Sequence, residues 1–296
     1  MANLKEIRTR ITSVQSTMQI TSAMKMVAAA KLRKAQNAVT TMRPYAAKLQ
    51  EIMQDLSASL EGSNENIYTT PREPVKILLV TITSNRGLCG AFNYNVVKEV
   101  IRQAEQTYAS QLKQGQVDFF CIGKKGADIL KAKGFKIKET ENAIFDKLSF
   151  NNVVPLAENL MQQFAQGHYD KVVMFYNQFK NAAVQILQTE QFLPVVESVP
   201  DKTTKKGHKR VDYIFEPGKK EIITELIPKS LKVQFYKALL DSFAAEHGAR
   251  MTAMHQATDN ATELLKDLKL NYNKARQASI TNEILEIASA AEALKG

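Results

Sequence analysis

The sequence predicts an α/β protein in which long N- and C-terminal helices form an antiparallel coiled coil that carries a central doubly wound, Rossmann-like α/β domain. Three observations predict it. Steps of three and four residues from Leu4 through Ile7, Ile11, Val14 and Met18 to Leu60 land on apolar side chains, with Thr21 and Lys25 the clear exceptions. A second stripe of this kind runs from Leu231 to Leu294, and between the two stripes apolar runs of strand length alternate with helical segments. A seven-residue apolar repeat kept over many turns supercoils a helix against a partner, and strands alternating with helices build a parallel sheet. The boundaries that follow are 1–61 and 229–296 for the coiled coil and 72–228 for the central domain.

In chain order, Met1 to Glu61 contains no glycine and one proline, Pro44, which is expected to kink the helix or end it early. Gly62, Pro71 and Pro74 then mark a stop and a linker. Val75–Thr83 is an unbroken β-branched and apolar run, as in a strand buried on both faces. After the loop Ser84–Asn93 the pattern predicts a helix from Tyr94 to Leu112, a strand Val117–Ile122, a helix Lys124–Lys133 and a short strand Phe135–Ile137. A helix Val153–Gln166 and strands Lys171–Tyr176 and Val184–Phe192 follow, the last pair spaced closely enough for an antiparallel edge. Asp201–Lys220 is polar and basic and reads as an exposed loop, and Pro228 closes the domain. The C-terminal stripe shifts register near Met251 and again before Ile280, which locally unwinds a supercoil. At 1.5 Å per residue the two terminal helices would span roughly 85 and 95 Å, so the C-terminal one overshoots with an apolar tip after Ser279.

The 296 residues carry a formal charge of +10 and a pI of about 9.4, which fits nucleic acid, an anionic surface or an acidic protein partner. The first 60 residues hold nine Lys or Arg against Glu6, Glu51 and Asp55, so the excess follows the N-terminal helix. No run approaches the roughly 18 apolar residues of a membrane span, and the basic amphipathic start continues into the stripe, unlike a presequence or secretory signal. Cys89 and Cys121 match no metal or disulfide spacing and read as free thiols in a reducing compartment.

Catalytic signals are sparse. The loop after the first strand has Gly87 and Gly90, but Arg86 and Leu88 stand where a phosphate cradle wants small residues, so a tight structural turn is the better reading. Cys89 has no histidine near it in sequence to activate it. His168, His208, His247 and His255 show no metal-clamping spacing, and Asp259, Glu263 and Asp267 form the ladder of a solvated helix face. The patch Met18, Met24 and Met26 reads either as pliable core filler, favoured by the stripe, or as a face pressed against a partner, and Met24, off the stripe beside its polar break, raises the second reading there. No cofactor or metal is expected. A basic coiled-coil nucleic-acid-binding protein remains an alternative, weakened by the lack of aromatics on the basic helix; a nucleotide-dependent enzyme is a third reading.

Both termini carry a recognisable pattern. ITSAMKMVAAAKLRKAQ (Ile20–Gln36), the stretch Ala257–Leu294, TSNRGLCGAFN (Thr83–Asn93) and DYIFEP (Asp212–Pro217) together resemble the gamma subunit family of F-type ATP synthases, bacterial type. The likeness covers the whole chain. Departures are Asn85 for the usual Asp, Ala91 and Phe92 for Gly and Leu, and Ala290 for a signature Gly. The cysteine pair that chloroplast relatives insert has no counterpart.

The resemblance implies a non-catalytic rotor shaft that passes torque between a proton-driven membrane ring and the catalytic hexamer during ATP synthesis or hydrolysis. The implied partners are the alpha and beta subunits of the hexamer, the epsilon subunit and the membrane c-subunit ring, with no nucleic acid and no membrane insertion. The implied location is peripheral, on the cytoplasmic face of a bacterial inner membrane. By position, Met24, Lys25, Lys31, Cys89, Arg250, Gln277, Thr281 and Glu283 match hexamer contacts, and Tyr213 and Glu216 match contacts with the ring and epsilon.

Overall fold

A computed structural model of the chain describes residues 4–58, 67–70, 72–195 and 219–294. Two helices frame it, α1 (Leu4–Ala58) and α6 (Lys219–Ala293). Between them lie β1 (Ile77–Ile82), α2 (Phe92–Gln106), α3 (Ala109–Lys113), β2 (Val117–Ile122) and α4 (Lys124–Ala132). β3 (Ile137–Glu141), a 3-10 turn (Ala143–Phe145), α5 (Phe150–Ala165), β4 (Lys171–Phe179) and β5 (Gln185–Leu193) complete the order. By contact the chain divides into two compact units, residues 30–249 and the pairing of 1–29 with 250–296.

In the larger unit five strands run in the order β3-β2-β1-β4-β5, parallel except for the antiparallel β4–β5 edge pair. The alternation of strand side chains sorts the core into two layers. Ile77 and Leu79 of β1 pack with Val96, Val97 and Val100 of α2 and with Leu130 of α4. Leu78, Val80 and Ile82 face the other way, toward Val153, Leu160 and Phe164 of α5 and Leu231, Phe235 and Leu239 of α6. Helices thus cover both faces, which is why β1 is wholly buried and reads as continuous apolar sequence. This is the doubly wound domain that the sequence predicts.

In the smaller unit the stripe becomes the contact face. Ile7, Thr21 and Ala28 of α1 and Met254, Ala261, Leu265 and Leu268 of α6 are buried. Cross-helix contacts fix an antiparallel register: Lys25 meets His255, Thr258 meets Thr21 and Thr262 meets Met18. The paired numbers sum to nearly constant values, so Leu4 stands opposite about residue 276, and the last 17 or so residues of α6, roughly 25 Å, extend beyond α1. Ile280, Ile284, Leu285, Ile287 and Leu294 on that overhang are exposed.

Several boundaries differ from the expectation. Pro44 neither ends α1 nor stops it short of Ala58, and Pro228 lies inside α6, which starts at Lys219 within the stretch expected to be loop. A proline deprives the carbonyl four residues earlier of its donor. Thr40 and Thr224, the residues concerned, sit on exposed turns where water reaches the backbone, so the helices continue. The expected helix 94–112 is two, broken at Thr107 and Tyr108, and the third strand lies at Ile137–Glu141, later than expected. Most of the basic loop, with Tyr213 and Glu216, lies outside the described residues.

One close approach fixes where α4 meets the sheet. Gly123 precedes α4 at φ +102°, and a Cβ there would stand 2.2 Å from the Thr83 carbonyl oxygen. Gly126 donates its N–H to Thr83 Oγ1 at 2.9 Å, and its own Cβ would stand 2.6 Å from that oxygen. Positive φ and a backbone collision act together against a side chain at Gly123. Gly123→Ala is expected to cost about 3 kcal/mol or more, read as a lower urea midpoint with an unchanged slope.

Candidate functional site

The place where a doubly wound sheet normally takes a ligand is the crevice at the carboxyl ends of the strands where the winding reverses, here between β1 and β4. That place is occupied by the chain's own side chains. The loop after β1 turns back through Leu88 and Gly90, both at positive φ, and delivers Asn93 from the first turn of α2. Asn93 Oδ1 accepts the Ser84 backbone N–H at 2.9 Å, while its Nδ2 lies 2.8 Å from Ser84 Oγ and 3.2 Å from Cys89 Sγ. From β4, Asn177 donates to the Phe92 carbonyl at 3.1 Å. Ser84, Cys89, Asn93 and Asn177 are all buried. A carboxamide spends here the hydrogen bonds that a phosphate would need. Among the described residues no group of three or more His, Cys, Asp or Glu is placed to hold a metal.

Cys89 is therefore a buried member of this plug, and the surface of its loop is presented by Leu88, which is 64% exposed. Cys121, in the middle of the sheet, is buried too, and burial pushes its thiol up to about 12, opposed weakly by Lys131. Neither thiol has the setting of a nucleophile.

The helix pair of the smaller unit offers a different surface. Met18, Gln19, Ser22, Ala23, Met26 and Thr258 line a shallow groove of about 380 Å³. Beside it the two polar breaks in the α1 stripe find polar partners across the seam. Thr258 donates its hydroxyl to Thr21 at 2.9 Å, and Lys25 Nζ lies 3.4 Å from His255 Nδ1. The same His255 nitrogen lies 3.2 Å from Asp259 Oδ2. A single ring nitrogen either accepts from Lys25 or, protonated, donates to Asp259, so the two contacts are alternatives. Both charged partners sit near water, and such pairs are worth about 0–1 kcal/mol.

The other positions named from sequence fall in separate places. Met24 is half-buried and Lys31 is exposed, whereas Arg250 is buried. Gln277, Thr281 and Glu283 are exposed on the far part of α6, where Thr281 donates to the Gln277 carbonyl and Ser279 to Glu283. Sequence reasoning missed His255 and Asp259 as the setting of Lys25. The signal was present, since a lysine inside an apolar stripe needs a polar partner on the facing helix.

With this geometry in view, the comparisons are decisive. The family model described as ATP synthase matches residues 3–294. The ATP synthase gamma chain of Flavobacterium johnsoniae is 64% identical over 296 residues, covering 100% of both chains, and that of Cytophaga hutchinsonii is 53% identical over 99% of both. The chain belongs to the ATP synthase gamma-chain family. As a gamma chain it is a non-catalytic subunit of ATP synthase. The fold agrees with solved rotors. A chain of the Tetrahymena thermophila mitochondrial ATP synthase central stalk and c-ring is 26% identical with a TM-score of 0.60, covering 80% of this chain and 99% of that one. A chain of the Euglena gracilis mitochondrial enzyme is 23% identical with a TM-score of 0.69 over 98% and 94%. None of these likenesses favours the nucleic-acid alternative. No helix among the described residues is long and apolar enough to cross a membrane.

The buried Cys121 thiol gives a pH signature. Its folded value lies above its ordinary one, so between pH 9 and about 12 the unfolded chain loses this proton and the folded chain keeps it. Stability then falls as pH rises, by up to about 1.4 kcal/mol per pH unit from this group. Denaturation of the wild type and Cys121→Ala at pH 8 to 11 should show the steeper decline only in the wild type.

Proposed function

We propose that this gamma chain is the central rotor shaft of a bacterial ATP synthase, turning inside the alpha and beta hexamer and joined at its other end to the epsilon subunit and the membrane c-subunit ring. The observation that carries this reading is the bare end of α6. About 17 residues of single helix expose Ile280, Ile284, Leu285, Ile287 and Leu294 to solvent, and an isolated helix of this kind needs a surrounding partner. Each such side chain gains about 1.5–3 kcal/mol when taken out of water. That attraction has no preferred direction, so an apolar sleeve holds the helix firmly while leaving it free to turn.

Polar contacts of a different kind are interspersed with these and lie on the rest of the helix pair. Met24, Lys25 and Lys31 on the basic helix are proposed to meet acidic loops of the catalytic subunits. Arg250, Gln277, Thr281 and Glu283 are proposed to catch one beta subunit. The loop of Cys89 is proposed to face the hexamer through Leu88, and Tyr213 and Glu216 to belong to the foot beside epsilon and the ring. In this reading the shaft comprises 1–61 and 229–296 and the carried domain 72–228. The ring passes protons, and the complex sits on the cytoplasmic face of the bacterial inner membrane.

The mechanism follows from asymmetry. Two unlike helices inside a ring of three catalytic interfaces touch each interface differently, so the three sites differ in nucleotide affinity. Turning the pair exchanges those states in sequence: rotation driven by the ring releases ATP, and hydrolysis drives the reverse rotation. Exposed contacts worth about 1 kcal/mol each permit this, whereas one deep ion pair would trap an angle.

The test mixes the purified chain with alpha and beta subunits of a related synthase and assays hydrolysis across gel-filtration fractions. One chain per hexamer with strongly raised hydrolysis is the expected result; no co-elution with competent partners would overturn the reading. Met24→Lys is expected to keep hydrolysis but lower proton pumping per ATP in reconstituted vesicles, because a new cation at the polar break forms an angle-specific contact. Equal coupling ratios would contradict this.

A further inference from the structure

Within the larger unit, the hairpin of β4 and β5 meets α6 at three points spaced seven residues apart along one face of the helix. At the first, Glu190 of β5 accepts from Gln234 Nε2 at 2.8 Å and from the Tyr176 hydroxyl at 2.7 Å. At the second, Asp241 is wholly buried and Arg43 of α1 reaches it, its Nη2 lying 2.9 Å from Asp241 Oδ1 and 2.6 Å from the carbonyl of Phe179, the last residue of β4. At the third, Gly248 brings the α6 backbone so close to the hairpin turn that a Cβ would stand 3.2 Å from both Cα and O of Ala182 and 3.5 Å from the Phe179 ring.

The hairpin is built to be stiff where it touches. Asn181 Oδ1 accepts the N–H groups of Ala183 and Val184 at 3.0 and 2.7 Å, and the Asn181 N–H donates to the Val184 carbonyl at 3.2 Å. Asp241 Oδ2 has no hydrogen-bond partner, and burial pushes the Asp241 carboxyl up against the opposing pull of the part-exposed Arg43 and of Lys237. That is a costly arrangement for stability alone, since a matched apolar pair commonly serves as well or better. What it adds is direction. The apolar contacts between α6 and the sheet tolerate sliding and rolling, whereas one guanidinium nitrogen, Arg43 Nη2, donating to both a carboxylate and a carbonyl does so far less.

We propose that the β4–β5 hairpin is a torque key: through Glu190, Phe179 and Ala182 it locks the rotational register of α6, and through Arg43 that of α1, so that rotation of the sheet domain is carried into the helices without slip. This rests on the rotor reading above. Arg43, Asp241, Gln234 and Glu190 are positioning residues in it. The three contacts on α6 span fourteen residues, roughly 21 Å of helix, which gives the key leverage against tilt as well as roll.

The test uses the assembled hexamer with the full chain, immobilised through beta, and a bead attached to the sheet domain through Lys113→Cys. The native cysteines do not compete, because both are buried. The charge pair is replaced by the apolar pair Arg43→Met/Asp241→Leu, which preserves volume. Expected are a folded chain, a hydrolysis rate close to that of the wild type, and a wider angular spread of the bead, with torsional stiffness down to about half or less as the directional bonds go. In vesicles holding the whole synthase with the same double replacement, proton pumping per ATP should fall in parallel. Stiffness and coupling equal to wild type would overturn the key, as would a double replacement that fails to fold, since the pair would then be holding the fold and not the register. A wild-type chain that neither assembles nor rotates would instead defeat the rotor reading itself.

Discussion

The structure depends on one constraint: α6 is a single uninterrupted helix that must satisfy two environments along its length. Its earlier part is core. Ile227, Leu231, Phe235, Ala238 and Leu239 pack against the sheet, and from Ala238 to Arg250 every residue except Phe243 is buried. From Met254 onward only a stripe is buried, and beyond residue 280 the helix is exposed on all sides. A helix of this length owes its stability to packing and not to propensity, so each stretch is as ordered as the surface that covers it. The sheet domain, the α1 seam and a surround for the overhang are three answers to the same demand.

The doubly wound domain takes part in this without keeping a ligand site. Its switch point carries a tight glycine turn, as in nucleotide-binding sheets, but the turn serves to bring Asn93 back onto Ser84 and Cys89. Asn177 on β4 completes the closure by holding the Phe92 carbonyl. Ser84, Cys89 and Asn93 bond one another and Asn177 bonds the Phe92 carbonyl, which stiffens the strand ends nearest the loop.

Most of this architecture was legible in sequence because it rests on periodicity. The α1 stripe, the buried run of β1 and the alternation of strands and helices each repeat a spacing that a single sequence displays. What stayed hidden depends on pairs that no spacing predicts. Arg43 and Asp241 are 198 residues apart, and nothing local to either marks the other. Pro44 and Pro228 pointed to breaks that do not occur, since local rules carry no information about whether water or packing makes good a lost hydrogen bond. The setting of Lys25 was half legible: its misfit in the stripe was plain, but not that one nitrogen of His255 would serve both it and Asp259.

The two ends of α6 differ in the kind of force they use, and the difference suits a shaft. The overhang exposes Ile, Leu and Ala side chains alongside Glu283, Glu286 and Glu292, and its apolar attraction holds position without holding angle. At the sheet domain apolar packing is joined by hydrogen bonds and by the pairing of buried Asp241 with the part-exposed Arg43, which depend on angle as well as distance. A bearing needs the first property and a drive coupling needs the second. Exchanging them would give a shaft that sticks in its housing and slips on its drive, so the gradient from polar, directional contacts near Asp241 to bare apolar surface near Ile287 is itself an argument that this helix transmits rotation.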